Sequence, residues 1–578
     1  MNAREVSRIL SDIATLLELK GDNPFKIRAY EQAARIVEGI GDQLETLVRE
    51  GRLHEHKGIG PALSEKITEL VTSGRLAYYD ELRREFPASI FELLNIPGLG
   101  PKRVRLLYQK LGVRSLGELE YACVENRLLT LDGFGEKSQA KILDGIRLLK
   151  RHQGHFLFSD AMAAAEALIV QLQSLSIVRR ISVAGSLRRR KETVKDIDLL
   201  ISSSAPAEVM ARFVGLPQVA EVIARGETKS SVRLAEGLQA DLRVVTDLEF
   251  PYALHHFTGS KEHNTALRGL AKSQGLKMNE YGLFRGDELI PCSSEAEIFA
   301  ALGMDEIPPE LRENLGEIEA AQDRRLPALI TDDDIQGVFH AHTTESDGRH
   351  SLEEMVKAAV ALGYRYLGIS DHSRSAHYAN GLSIERVLAQ QQAIDELQQR
   401  HPEITLFKGI ESDILPDGSL DYPDEVLRRF DFVIASIHSR FGMTEAEMTD
   451  RIVKAVSHPA VTILGHPTGR LLLSREGYHL NLDRVLEAAK AHHVAVELNA
   501  NPHRLDLDWR FCKDARDRGV QLSINPDAHS TEGLGDTRYG VGIARKGWLT
   551  RADVFNTRSA DEMRRTLSAR RAHAQALA

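Results

Sequence analysis

Apolar residues recur at three- and four-residue spacing through the first quarter of the chain. Segments 4–19 (REVSRILSDIATLLEL), 26–40 and 64–74 each carry such a stripe, which predicts short amphipathic helices. One turn recurs between them, in HKGIGPALSEKI (56–67), IPGLGPKRVRLLY (96–108) and LDGFGEKSQAKIL (131–143), an internal repeat of Gly-x-Gly between helices. From about residue 155 the period shortens to two. Residues 177–186, 196–203 and 238–245 alternate like strands, with helical stretches between them, and a helix-rich piece is expected over about 250–320. Residues 320–337 show little periodicity and two charge clusters, which predicts a linker. Beyond them seven apolar runs alternate with amphipathic helices, the signature of a parallel β/α architecture. The expected fold class is multidomain, α+β followed by α/β.

Composition narrows this little. A chain of 578 residues suggests about four domains, and 42% hydrophobic with 27% charged residues excludes wholesale disorder. No apolar run approaches the roughly 18 residues of a membrane helix, and MNAREVSRIL lacks a signal-peptide core, so a soluble cytoplasmic protein is expected. Cys123, Cys292 and Cys512 are too few for a disulfide framework or a Cys-rich zinc site. Charge and histidine are distributed unevenly. The net charge is −9, yet residues 101–200 hold 18 Lys+Arg against 11 Asp+Glu, and local basicity is what phosphate contact needs. Of 22 His, 15 lie in residues 337–578. Two halves with different chemistry are implied.

The pairs Gly58 and Gly60, Gly98 and Gly100, and Gly133 and Gly135 let backbone approach a partner closely, and the N–H groups of each following helix suit a phosphate. Lys102 and Lys137 follow two of them. In AGSLRRRKETVKDIDLLI (184–201), Asp196 and Asp198 are two apart on a predicted strand and face one way, and Asp241 can add a third carboxylate from a neighbouring strand. Such an all-oxygen site fits Mg²⁺ or Mn²⁺. Upstream, Gly185, Ser186 and Arg189 offer donors suited to a triphosphate.

In the second half each predicted strand ends in a candidate ligand. They are His340, His342 and Asp347, then His372, Glu411, His438 and His466, and finally Asp527 and His529, with Glu497 and Asn499 left aside. Strand C-termini of a β/α barrel open on one face, so these nine groups gather at one mouth. Nine ligands suffice for two or three ions, and mixed imidazole and carboxylate favours Zn²⁺, Mn²⁺ or Fe²⁺. His377, His401, His458 and His479 read as bystanders.

The glycine turns resemble the helix-hairpin-helix motif, and segment 184–201 resembles the nucleotidyltransferase palm of the family X DNA polymerases. HHFTGSKEHNTALRG (255–269) is similar to the part of that family that contacts the incoming nucleotide. The resemblance implies that Asp196, Asp198 and Asp241 hold catalytic metals and that Gly185, Ser186 and Arg189 take phosphates. It implies further that His256, Phe257 and Gly259 line the sugar, that Asn264 reaches the base, and that Arg268 reaches the template. His256 stands where polymerase beta has tyrosine, and Lys261 replaces an acid. Lys66 matches a Schiff-base lyase lysine and Lys26 a phosphate-binding one, whereas Ala62 replaces a second basic position. The histidine half resembles the PHP (polymerase and histidinol phosphatase) domain, departing at Val338-Phe339.

Taken together the order resembles the bacterial-type family X DNA polymerases. It implies a lyase-like domain (1–85), fingers with two hairpins (86–150), palm (151–249), thumb (250–320), linker (321–336) and a PHP domain shaped as a distorted β/α barrel (337–578). The expected activity is gap filling on gapped or nicked DNA from dNTPs by a monomer, with a Mn²⁺-dependent 3′–5′ exonuclease, abasic-site cleavage and 3′-end trimming in the PHP half. Two alternatives stay open for that half, a small-molecule phosphatase and a metal-stabilised scaffold.

Overall fold

The computed structural model describes residues 1–576 except 57, 88, 97 and 151–153. The chain forms two compact units, Met1–Leu149 and Lys150–Ala578.

The first unit is helical, as its periodicity predicts. Helix Ala3–Lys20 starts at a capping box of Asn2 and Glu5 and stops at Gly21 in the left-handed region. It packs Val6, Leu10, Ile13 and Leu17 against Ala33, Ala34 and Val37 of helix Pro24–Ile40 and Ile67 and Leu70 of helix Pro61–Ser73. A second core joins Ile90, Leu93, Val104, Leu119 and Ile146.

The second unit opens with a five-stranded sheet. Its order is Val178–Val183, Asp196–Ser203, Gln239–Val245, Lys229–Leu234 and Val219–Arg225, with the second and third strands parallel and the other pairs antiparallel. Helices Phe158–Gln173 and Pro206–Val214 cover one face through Ala161, Leu168, Val209 and Phe213. Ile197 and Leu199 point into that core, so period two turns Asp196 and Asp198 to the opposite, open face.

Residues 250–320 are helix-rich, as expected, and hold a small sheet as well. Helices Phe250–Thr258, Lys261–Ser273 and Glu295–Ala301 are there, but so is an antiparallel sheet of Leu276–Asn279, Gly282–Arg285 and Glu288–Ile290. Strands of three or four residues are too short for alternation to stand out. Segment 321–336 is no loose tether either. Leu329 pairs with Thr550, and the N–H of fully buried Ile330 donates to the Leu549 carbonyl at 3.0 Å.

Seven parallel strands follow in sequence order: Gly337–Val338, Tyr366–Ile369, Thr405–Asp413, Phe432–Ser436, Ile463–Leu464, Ala495–Asn499 and Leu522–Asn525. An isolated parallel bridge between Ala341 and Ala528, just beyond the first and last strands, brings the barrel nearly to closure. Phe339, Tyr366, Phe407, Phe432 and Phe555 fill its floor. Gly409 makes room there, since a Cβ on it would fall 2.1 Å from the Phe432 ring. No helix among the described residues is long and apolar enough to cross a membrane. All three cysteines are free and buried.

Candidate functional site

The three glycine turns are built alike. Gly58, Gly98 and Gly133 have φ of +107°, +87° and +83°. The residue between each pair, Ile59, Leu99 or Phe134, is buried and plugs the turn into the core. Its N–H closes the turn on His56, Ile96 or Leu131 at 3.0–3.1 Å. Gly60 and Gly100 cap helices with proline in the first turn, which leaves backbone N–H groups facing outward. Arg103 ties the second turn to the third, with Nη1 on the Gly98 carbonyl at 3.1 Å and Nη2 on the Gly133 carbonyl at 3.0 Å. Lys137 and Lys141 share a pocket with it, while Lys102 is exposed. In the same unit, Lys66 Nζ and Lys26 Nζ each lie 5.3 Å from the centre of the Tyr78 ring. Lys26 also pairs with Asp22 at 3.0 Å.

In the sheet, Asp198 stands opposite Asp241 in parallel register and Asp196 opposite Gln239. The three carboxylates therefore share one face across two strands. Gln239 Nε2 donates to Asp241 Oδ1 at 2.9 Å, and Lys229 Nζ lies 3.6 Å from Oδ2. Burial, then Asp196 and Asp241, push the Asp198 carboxyl up to about 6, and burial with Asp241 raises Asp196. Carboxylates that repel one another on an open face call for a cation, and the all-oxygen set fits Mg²⁺ or Mn²⁺. Gly185, at φ +60°, crosses directly over Asp198, for a Cβ there would sit 2.1 Å from its Oδ2.

Ser186 follows on the short helix Gly185–Arg188. Arg189 is less free than a phosphate ligand would be expected to be. It is buried, its Nε donates to Glu313 Oε1 at 3.1 Å, and its Nη1 donates to the Thr258 carbonyl. Gly259 packs against that guanidinium. His256 and Phe257 meet edge to face, with Arg243 over the Phe257 ring at 4.3 Å. Asn264 Nδ2 donates to the His256 carbonyl at 2.7 Å, and Arg268 Nε to the Asn264 carbonyl at 3.1 Å. His256, Asn264 and Arg268 line one small cleft with His255, Met278 and Asn279, and Lys261 is exposed.

The barrel mouth brings all nine predicted ligands together. His342, Asp347, His372 and His529 present ligand atoms within 4.8 Å of one another, as do His340, His342 and Asp527, and His372, Glu411 and His438. His466 Nε2 joins them 3.0 Å from Glu411 Oε1. Glu411 is the hub, with Oε1 also 3.3 Å from His340 and His438, and Oε2 2.9 Å from His372. Burial and neighbouring imidazoles lower His342 to about 3, while burial and Arg504 lower His466 to about 4, so both rings are neutral. Against burial, Asp527, Glu497 and Glu411 raise His340, and Asp347 and Glu411 raise His372. His342 Nδ1 and Nε2, His372 Nε2, His340 Nε2 and Glu411 Oε2 are buried with no hydrogen bond. Orphaned groups this dense are costly unless divalent ions take them, and the donor set fits such ions. His466 at φ +23° and Asp527 at φ +52° hold left-handed backbone, a strain common at functional sites. His377 and His479 are exposed, and His401 and His458 pair with Glu403 and Asp424 away from the mouth.

Three positioning groups escaped the sequence reading. Glu497, left aside there, accepts from His340 Nδ1 at 2.7 Å and from the His466 N–H at 2.7 Å. Asp413 holds His438 Nδ1 at 2.7 Å. It lies two residues after Glu411 on one strand, so period two could have flagged it. Asp371 accepts from the N–H and hydroxyl of Thr343, bracing the loop after His342.

A sheet with facing carboxylates, followed by a ligand-lined barrel, defines a nucleotidyltransferase joined to a metal-dependent phosphoesterase-type domain. Family models match accordingly: a helix-hairpin-helix domain at 1–76, a SAM-like helix-hairpin-helix tandem at 90–148, the DNA polymerase beta thumb at 253–313 and the PHP domain at 339–501. The chain is 41% identical over 563 residues to a Bacillus subtilis (strain 168) protein named DNA polymerase/3'-5' exonuclease PolX, covering 97% of this chain and 98% of that one. Over 200 residues the chain is 30% identical to a Caldicellulosiruptor saccharolyticus protein named "Probable phosphatase", covering 33% of this chain and 78% of that one. A similarly named Thermoanaerobacter protein (strain X514) is 25% identical over 235 residues, covering 38% and 89%. The chain belongs to the family X DNA polymerases that carry a PHP domain.

Proposed function

We propose that this protein fills short gaps in DNA through Asp196, Asp198 and Asp241 and removes 3′-terminal nucleotides at the barrel mouth. Its class follows from its family: it is a DNA polymerase and 3′–5′ exonuclease that depends on divalent metal and acts on DNA and dNTPs. The residue roles are our assignment. The observation that carries the polymerase half is Asp198 opposite Asp241 beneath Gly185, where bare backbone meets a carboxylate face. Mg²⁺ or Mn²⁺ held by these aspartates would activate the primer hydroxyl and neutralise the leaving pyrophosphate. Gly185, Ser186 and Arg189 orient the triphosphate, His256, Phe257 and Gly259 border the sugar, Asn264 and Arg268 face base and template, and the three glycine turns with Lys102 and Lys137 grip backbone phosphates.

Two or three Mn²⁺, Zn²⁺ or Fe²⁺ ions held by His340, His342, Asp347, His372, Glu411, His438, His466, Asp527 and His529 would activate water and polarise a phosphodiester. Glu497 and Asp413 fix the rings of His340 and His438. We assign Lys66, beside Lys26 on the Tyr78 ring, as the nucleophile of an abasic-site lyase, and read the protein as a cytoplasmic monomer divided at the boundaries given above.

The test is a 5′-labelled primer in gapped duplex with Mn²⁺. Lengthening with dNTPs and stepwise shortening without them are expected. Asp196→Ala should remove only the first and His340→Ala only the second. Loss of both activities from either change in a folded protein would overturn the two-site reading. The likeness to proteins named phosphatases favours a second reaction at the barrel, release of inorganic phosphate from a 3′-phosphorylated primer, read in the same assay.

A further inference from the structure

We infer that Lys546, a residue of the barrel half, is a positioning residue for the polymerase reaction. It ends helix Thr537–Lys546, is 1% exposed, and reaches out of the barrel into the palm and thumb. Its Nζ donates to Glu313 Oε1 at 2.6 Å, to the Arg189 carbonyl at 3.1 Å and to the Glu310 carbonyl at 3.3 Å, above the Trp509 ring at 4.6 Å. Glu313 in turn holds Arg189 Nε. A barrel ammonium, a thumb carboxylate and a palm guanidinium thus form one line, which ends at the turn where Gly185 crosses Asp198.

Stability alone gives little reason for this arrangement. A buried ion pair rarely outperforms apolar packing of the same volume. Burial pulls Lys546 down to about 8 despite Glu313. What the charge does is divide the carboxylate. With Lys546 present, Glu313 is shared among three cations, Lys546 at 2.6 Å, Arg189 at 3.1 Å and, more loosely, Lys191 at 3.8 Å. Arg189 spends Nε on Glu313 and Nη1 on the Thr258 carbonyl, while Nη2 takes part in neither bond and has no hydrogen-bond partner among the described residues. Without Lys546, Glu313 would keep only the distant, half-exposed Lys191 beside Arg189, would neutralise Arg189 more fully and would draw it from the triphosphate. Nearby, Arg470 Nη2 on Glu192 at 2.6 Å holds the same palm segment from the barrel side. The inference rests on the phosphate role proposed above for Arg189.

The experiment uses the full chain on gapped DNA. Lys546→Met should raise the KM for dNTP about tenfold, the loss expected when a charge-assisted contact stops orienting a ligand group, with a smaller change in kcat. Exonuclease without nucleotides should stay within about twofold of wild type, which also reports that the barrel is folded. Lys546→Arg should rescue KM, and the effect of K546M should shrink in a Glu313→Gln background because Lys546 acts through Glu313. Lys546→Gln, which keeps a donor without the charge, is the second arm if the Met variant does not fold. An unchanged KM, or equal loss of both activities in folded K546M, overturns the inference. Asp198→Asn and Arg189→Ala separate the two failures. If D198N still polymerises, the palm reading is wrong. If R189A leaves KM unchanged, the phosphate role of Arg189 is wrong. If both behave as proposed and K546M does not, only the Lys546 inference falls.

Discussion

Replacing Asp198 by Asn should make the ion-free protein more stable while abolishing synthesis. The carboxyl is raised from 3.8 to about 6 by burial and by Asp196 and Asp241, so its ionised form is disfavoured in the fold. That rise corresponds to about 3 kcal/mol, which solvent at the open face of the sheet reduces to about 2. The folded value lies above the unfolded one, so the wild type is relatively most stable below about pH 4 and loses that advantage as pH rises through about 6. An amide never ionises and escapes the loss. Urea unfolding followed by circular dichroism in EDTA should show no gain for the variant near pH 4 and a gain of about 2 kcal/mol at pH 7.5. Added Mg²⁺ should then stabilise the wild type more than the variant, because only the full carboxylate set binds it well. A variant no more stable than wild type at pH 7.5, or a gain independent of pH, would refute the electrostatic argument. Retained synthesis would refute the site.

Three further outcomes follow from the same geometry. Gly185→Ala should cost synthesis at least a hundredfold, about 3 kcal/mol, because a side chain at φ +60° would strike Asp198; single-nucleotide gap filling measures it, and exonuclease should persist. Glu497→Gln should weaken metal retention and exonuclease by about 10- to 100-fold by loosening His340, read by metal analysis after dialysis alongside primer shortening, with polymerase unaffected. Borohydride should trap the protein on an abasic-site 5′-end, and Lys66→Ala should abolish the adduct; trapping that survives the substitution would remove the lyase assignment.

The parts legible in sequence were those written by local rules. Strand Asp196–Ser203 and the helices of the first unit follow from period alone. The gathering of the nine candidate ligands was legible because a parallel β/α barrel converts one-per-strand spacing into one mouth. What stayed hidden depends on pairing between distant segments. Glu497 looked like one more carboxylate, and its partner His340 lies 157 positions away. The short strands at 276–290 exist because they pair with one another, and their alternation is too brief to be read. Arg189 matched a phosphate-binding pattern, but Glu313 and Lys546, which restrain it, come from two other parts of the chain.

The pairing of Leu329 and Ile330 with Thr550 and Leu549 decides what has to travel during editing. A slack tether would let either centre swing toward a stationary primer. A stitched segment, with Arg470 on Glu192, opposes such a swing. The journey then falls to the nucleic acid, whose terminal nucleotide must peel from its template before the histidine cluster can reach it. A mismatched end peels more readily than a paired one. On this arrangement the frayed fraction of primer ends would set the balance between growth and removal.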